Sequence, residues 1–399
     1  MEVVLVIVQV LVGGQRPGIE TNRKPQFGAY NYLFRDMENV KKFFLSIILT
    51  EKCNLKCSYC YENNKSSRTI NANIAKQIIS DYLNNEKYDE VEIDLFGGEP
   101  FLEFEKIKEI CEWTWSQKWK NKYLFFTTTN GTLVHGEIKD WLRKNKDYFW
   151  VSVSLDGCKE SHDINRCNSF DDIDIGFFFE CWPLQTVKMT ISKNSISNLA
   201  NNVIFLHSLG YKIAGTNFAE GIDWENAKYQ SILFEQMEKL CIYYLDNPNI
   251  EPVSLINMPL ERCEIEKHKK KDCGCGSTMA TYGVDGVKYP CTFFTPMTFS
   301  KKQLDSLKKI DWNNEDVFTD EYCYEKCYLF PVCNTCYGAN LLQSGTLNIK
   351  DKSKCELVKI RAVFSAALAA NRLLKNPIDT YKNYLISKAI YKINDLYNK

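Results

Sequence analysis

Near its amino end the chain reads Phe43-Phe44-Leu45-Ser46-Ile47-Ile48-Leu49-Thr50-Glu51-Lys52-Cys53-Asn54-Leu55-Lys56-Cys57-Ser58-Tyr59-Cys60-Tyr61. An apolar, strand-like run from Phe43 to Leu49 is followed at once by three cysteines within eight positions, with gaps of three and two residues. Three thiolates so spaced can wrap one face of a cubic iron-sulfur cluster, whereas structural zinc or iron-sulfur sites demand four protein ligands. The missing fourth ligand leaves one metal position open to a small molecule, which separates a reactive centre from a structural one. The bland alternative is a set of buried or metal-storage thiols.

The totals narrow the class. Lysine plus arginine and aspartate plus glutamate each number 50 in 399 residues, so charge shows no bias toward nucleic acid or an anionic membrane. The length predicts roughly two to three domains with ample core. Seventeen cysteines, an odd number without a secretory signal, argue for reduced, metal-ligating thiols in a cytoplasmic protein and against a disulfide scaffold. The apolar opening, Val3 to Val12, is too short to span a bilayer as a helix and carries Glu2 where a signal peptide has positive charge. Its β-branched residues predict a strand. Residues 13–40 read as an irregular lead-in.

From Phe44 onward short apolar runs alternate with helical patterns, the order of a parallel α/β sheet or barrel. Strands are predicted at Phe44–Leu49, Val91–Phe96, Tyr123–Thr128, Trp150–Leu155, Thr186–Ile191 and Ile213–Phe218, with helices at Ile70–Asn84, Phe101–Lys118, Gly136–Asn145, Ile196–Leu209 and Glu225–Leu245. Six βα units make an open barrel rather than a closed eight-fold one, and in such folds chemistry sits at the carboxyl ends of the strands.

Polar and glycine residues stand at those ends. Phe96-Gly97-Gly98-Glu99-Pro100 lets backbone approach a ligand closely and offers a carboxylate to an ammonium group. Thr127-Thr128-Thr129-Asn130-Gly131 has tight-turn chemistry. In Val151-Ser152-Val153-Ser154-Leu155-Asp156-Gly157, Ser152 and Ser154 share a face, and a hydroxyl there with Arg166 makes a charge-assisted carboxylate clamp. His162 and Asp163 cap a helix or fix the loop. Downstream, Cys273 and Cys275 precede a hairpin-like turn, Gly283 to Cys291; Cys323, Cys327, Cys333 and Cys336 follow with gaps of three, five and two, then Cys355. Eight thiols can saturate two four-ligand sites, of iron-sulfur or zinc. The remaining cysteines, at 111, 158, 167, 181, 241 and 263, lack comparable spacing and read mostly as buried small apolar residues.

This set of motifs resembles the radical S-adenosylmethionine (SAM) superfamily and, in the tail, the SPASM extension of its peptide-modifying members. The resemblance runs from Phe43 to about Cys355. It implies a partial (β/α)6 barrel, a cysteine-rich SPASM domain and a C-terminal helical segment. Cys53, Cys57 and Cys60 would hold the catalytic 4Fe-4S cluster, whose open iron chelates the amino and carboxylate groups of SAM. Tyr59 would lie against the adenine, Gly97, Gly98 and Glu99 at the methionine amino group, Asn130 toward the ribose, and Ser154 and Arg166 at the carboxylate. Two auxiliary 4Fe-4S clusters would sit on Cys273, Cys275, Cys291 and Cys336, and on Cys323, Cys327, Cys333 and Cys355. Cys275 either completes its site or leaves an iron open to a substrate thiolate. The family's usual four-cysteine run has gaps of two, five and three, the reverse of the order here, which alters the loop geometry around those ligands.

On this reading residues 1–42 are a lead-in, 43–250 the core barrel, 251–357 the SPASM domain and 358–399 a helical segment. The expected activity is maturation of a ribosomally synthesised precursor peptide by oxidative crosslinking through a thioether or carbon-carbon bond, with a flavodoxin or ferredoxin as reductant. About fifty residues precede the first cysteine, too few for a leader-recognition module of usual size, so that role is absent or falls to a separate protein. No nucleic-acid or membrane partner is expected. The rivals are an anaerobic sulfatase-maturating enzyme, which oxidises cysteine or serine to formylglycine, and a non-catalytic iron-sulfur electron carrier. Sulfatase maturases place an acid directly after the equivalent of Cys291, where this chain has Thr292.

Overall fold

The computed structural model describes residues 40–211, 214–265, 267–375 and 380–397; the strand expected at Val3–Val12 and nearly all of the lead-in lie outside the described residues. Six strands follow in chain order: β1 (Lys42–Thr50), β2 (Glu90–Gly97), β3 (Lys122–Thr129), β4 (Phe149–Val153), β5 (Val187–Ile191) and β6 (Ala214–Phe218). The first four pair in parallel, each beside its predecessor, as do β5 and β6. A single parallel bridge, Ser154 to Lys188, with the Leu155 N–H donating to the Lys188 carbonyl at 2.8 Å, joins the two sets. Helices Ala72–Leu83, Phe104–Trp115, Gly136–Asn145, Leu199–Ser208 and Ala227–Asp246 fall where apolar periodicity predicts them.

Two short helices, Lys159–Arg166 and Ile175–Cys181, carry no sequence signature. Two turns are too short for a 3.6-residue period to declare itself, and one of them is nearly all polar. His162 and Asp163 fix this region: His162 is buried with its ring 3.1 Å from the Ser169 hydroxyl, and Asp163 accepts the Phe170 N–H at 2.9 Å.

The turn at Gly283–Cys291 is an antiparallel hairpin of β7 (Met279–Tyr282) and β8 (Lys288–Tyr289), with Gly286 at φ +75°. Strand β7 also pairs in parallel with β1, on the side away from β2, so the cysteine-rich tail contributes a strand to the barrel sheet. Leu45, Ile47, Ile93, Phe125 and Phe149 are fully buried in the barrel core, each such side chain contributing about 1.5–3 kcal/mol. Helix Cys355–Lys375 lies against Ala227–Asp246, with Phe364 and Phe234 rings 5.0 Å apart. Helix Tyr381–Tyr397 packs on that helix and on residues 260–264. Among the described residues no helix is long and apolar enough to cross a membrane.

Of the six cysteines outside the motifs, Cys111, Cys181, Cys241 and Cys263 are buried, but Cys158 is half-buried and Cys167 exposed. The exceptions cap the two ends of helix Lys159–Arg166, where Cys167 takes a left-handed φ of 59° and donates its thiol to the Lys56 carbonyl at 3.1 Å.

Asp94 of β2 is buried beside its register partner Ser46, whose hydroxyl donates to it at 3.2 Å; its other oxygen has no hydrogen-bond partner among the described residues. Burial pushes this carboxyl up to about 7. Between roughly pH 4 and 7 the folded chain therefore keeps a proton that the unfolded chain has lost, so this group's contribution to stability falls as pH rises through that window. Asp94→Asn is expected to raise stability at about pH 8 by on the order of 1–3 kcal/mol and to change it little near pH 4, as read from calorimetric melting at the two pH values.

Candidate metal and cofactor site at the barrel mouth

The cysteine loop leaves β1 at Thr50 and is held under the end of β2. The Gly98 N–H donates to the Thr50 carbonyl at 3.0 Å and the Glu99 N–H to the Lys52 carbonyl at 2.8 Å. A Cβ on Gly97 would come within 2.6 Å of the Thr50 carbonyl oxygen, and one on Gly98 would collide with the Lys52 carbonyl and reach 3.0 Å from the Cys53 Cβ. What these glycines admit closely is the cysteine loop itself. Glu99 is buried, and it accepts from the Phe101 N–H at 3.1 Å, the Thr129 hydroxyl at 2.7 Å and the Asn130 N–H at 2.8 Å. Its carboxylate thus ties the ends of β2 and β3 together, although burial still pushes it above the usual carboxylate range.

At the carboxyl ends of the strands is a cavity of about 310 Å³, lined by Cys53, Cys57 and Cys60 together with Tyr59, Gly97, Gly98, Glu99, Asn130, Ser154 and Arg166. Every site residue expected from the first motif region therefore meets at one cavity. Asn130 donates its amide to Asn54 at 2.8 Å and accepts the Thr132 N–H at 3.0 Å, so it also braces the cysteine loop. Ser152 does not reach the cavity, and its hydroxyl donates to the Thr186 carbonyl instead.

The residue that organises this wall, Asp156, appears in the sequence only as part of a turn. Fully buried, it accepts the Tyr59 hydroxyl at 2.7 Å, the Asn165 amide at 3.0 Å, Arg166 Nε at 3.0 Å and the Thr190 N–H at 2.9 Å. The Arg166 guanidinium lies 5.4 Å from the Tyr59 ring centroid. Its Nε is committed to Asp156, and the residue lines the cavity. Four donors and a paired charge satisfy a carboxylate that would otherwise cost several kcal/mol to bury.

A 4Fe-4S cluster fits this donor set. Burial pushes the Cys57 thiol up to about 11 and raises Cys53, with Arg166 and Lys65 respectively pulling the other way. Thiols so desolvated ionise when a metal takes the place of the proton. Among the described residues no group of three or more His, Cys, Asp or Glu side chains is set to hold a single metal ion. Cys53, Cys57 and Cys60 line one cavity together, as the thiolates of a 4Fe-4S cluster must. Lys65, Glu62, Phe218 and Glu220 also line the cavity. None has a spacing that sequence reasoning could use; Lys65 stands out only because its ammonium donates to Cys60 Sγ at 3.1 Å.

In the second cysteine field the Cys275 thiol hydrogen-bonds both Cys273 and Cys291, which holds Cys275 protonated and pulls Cys273 down to about 7. Cys336 lies near Cys291, and burial pushes its thiol up to about 12. Cys323, Cys327, Cys333 and Cys355 line a second cavity of about 700 Å³, and Cys336 lines it with them. Asn217, Phe218 and Glu220, at the end of β6, line both cavities. Tyr61 stacks on Phe293 with centroids 4.2 Å apart, joining the first cysteine loop to the segment after Cys291.

Residues 47–174 match the family model of the radical SAM superfamily; the chain carries a radical SAM domain. It is 26% identical to a cysteine-type anaerobic sulfatase-maturating enzyme of Clostridium perfringens over 336 residues, 76% of this chain and 88% of that one. An uncharacterized protein of Methanocaldococcus jannaschii is 32% identical over 130 residues, 33% of this chain and 43% of that protein's length. Among solved structures, anSMEcpe with bound AdoMet superposes with a TM-score of 0.65 at 20% identity, covering 87% of this chain and 98% of that one. Streptococcus suis SuiB bound to precursor peptide SuiA gives 0.54 at 20% identity, covering 78% and 75%. These structural likenesses establish the shared α/β fold.

Asp156→Asn supplies one acceptor where the carboxylate served four donors. Iron content after anaerobic reconstitution is expected to stay near wild type, while the rate of 5′-deoxyadenosine release from SAM falls about 10- to 100-fold, as measured by chromatography.

Proposed function

We propose that this chain is a radical SAM enzyme that modifies a ribosomally synthesised peptide. The observation that supports this best is the meeting of Cys53, Cys57 and Cys60 with Gly98, Glu99, Asn130, Ser154 and Arg166 at one cavity, beside a second cavity lined by five cysteines. A 4Fe-4S cluster on the trio, with SAM at its open iron, supplies on reduction a 5′-deoxyadenosyl radical able to abstract a substrate hydrogen atom. The protein's part is placement. Arg166 and Ser154 offer a cation and a hydroxyl to a carboxylate, Tyr59 offers an aromatic face, and Phe96 and Phe218 exclude water from the space where a substrate hydrogen would be taken.

The finer reading is oxidative crosslinking by a thioether or carbon-carbon bond. Each such bond removes two hydrogens from the peptide: one leaves in 5′-deoxyadenosine, the other as a proton and an electron. Cys273, Cys275, Cys291 and Cys336, and Cys323, Cys327, Cys333 and Cys355, are the quartets that would hold auxiliary 4Fe-4S clusters for uptake of that electron. The likeness to a sulfatase-maturating enzyme over 76% of this chain favours formylglycine formation as a second reading. Against it, Thr292 follows Cys291 and engages the buried Tyr61 phenol, where that family's pattern has an acid. The electron-carrier reading predicts no SAM cleavage.

Anaerobic reconstitution with SAM and dithionite is expected to yield 5′-deoxyadenosine, and Cys57→Ala to reduce it at least 100-fold; full cleavage by that variant would refute the cluster assignment. Coexpression with a short cysteine-bearing peptide encoded beside the gene, read by mass spectrometry, is expected to show loss of two hydrogens per linkage. Replacement of a cysteine sulfur by an aldehyde oxygen would instead establish the formylglycine reading.

A further inference from the structure

Lys65 lies five residues beyond the third cysteine, and its ammonium donates to Cys60 Sγ at 3.1 Å while lining the barrel-mouth cavity. Its side chain is 23% exposed, and Glu62, itself buried, stands 4.0 Å away. The nearer oxygen of Glu62 is beyond hydrogen-bond distance from the ammonium and its other oxygen has no hydrogen-bond partner among the described residues, so the ammonium's close contact is with the sulfur. Lys352 makes a similar contact in the second field, 2.9 Å from Cys323 Sγ. There the side chain is 47% exposed and the ammonium is shared with Asp320 at 2.7 Å, so solvent and a counter-charge screen it. The charge at Cys60 is the less screened of the two.

We propose that Lys65 is a redox-positioning residue that raises the reduction potential of a cluster held by Cys53, Cys57 and Cys60. The proposal rests on the assignment of a 4Fe-4S cluster to that trio. Reduction adds one negative charge to the cluster and its thiolates, and a cation on a ligand sulfur stabilises the reduced form more than the oxidised one. An N–H donated to that sulfur acts in the same direction, because it withdraws charge from the thiolate. The consequence is a cluster that a weaker electron donor can reduce. A merely structural lysine, anchoring the loop from Tyr61 to Ser66, would leave the potential where it is.

The test is an EPR-monitored redox titration of the anaerobically reconstituted full chain without SAM. The signal absent from the triple variant Cys53→Ala, Cys57→Ala, Cys60→Ala identifies the relevant cluster. In Lys65→Met the ratio of reduced to oxidised cluster at a given applied potential is expected to fall about tenfold, a shift of about 59 mV to the negative side for a one-electron couple. Lys65→Arg is expected to keep most of the wild-type value. Lys65→Gln, which retains an N–H donor without charge, is expected to fall between them and serves if the Met variant does not assemble. A wild-type signal that does not move in Met or Gln variants with full iron content overturns this inference and leaves the cluster assignment standing. A shift that appears only when SAM is added also overturns it, since the lysine would then act on SAM. Absence of any signal specific to the trio overturns both.

Discussion

The barrel mouth depends on one close backbone contact. The turn after β2 lies directly against the chain that leaves β1, with no room for a side chain at Gly97 or Gly98. Two backbone hydrogen bonds cross that contact, and Glu99, the next residue, reaches over to β3. The cysteine loop is thereby fixed to the carboxyl ends of two neighbouring strands, and a parallel sheet brings the remaining strand ends to the same rim. Without the two glycines the loop would lift from the sheet, and three cysteines clustered in sequence would no longer face the residues from β3 to β6.

Electrostatics completes what the backbone contact begins. The cavity wall is built around a buried anion, Asp156, whose four donors come from the cysteine loop, helix Lys159–Arg166 and β5. Pairing with Arg166 pays for the burial of both charges and aims the guanidinium and the Tyr59 ring at the same space. On the opposite side Lys65 brings a positive charge to Cys60. Burial raises the Cys53 and Cys57 thiols, and Lys65 and Arg166 respectively pull them back toward the thiolate that a metal ligand must be.

The tail is coupled to this site by contacts of its own. Strand β7 pairs with β1, Tyr61 stacks on Phe293, and the end of β6 is common to both cavities. Lys354, next to Cys355, pairs with Glu220 at 2.5 Å, so a residue of the shared wall is tied to the edge of the second quartet. The two cysteine fields are therefore joined by packing, with the end of β6 lining the cavity of each.

Much was legible in the chain by itself. The alternation of apolar runs and helical spacing carried the six strands and five helices, because burial on both faces and a 3.6-residue period are local demands that composition must meet. Cysteine spacing marked the metal region, since a loop must place its thiols within the span of one cluster. The division of the second field into two quartets came from resemblance alone, and the cavity lined by Cys323, Cys327, Cys333 and Cys355 is lined by Cys336 as well. Tertiary structure alone decided the rest. Asp156 gathers donors at positions 59, 165, 166 and 190, which no local pattern connects. Glycines that sequence assigned to a ligand also admit the cysteine loop, β7 joined the barrel beside β1, and a lysine with no motif of its own came to rest on the sulfur of Cys60. Periodicity and spacing record what a segment requires of its neighbours in sequence; which distant atoms meet is set only when the sheet closes and brings its strand ends to a single rim.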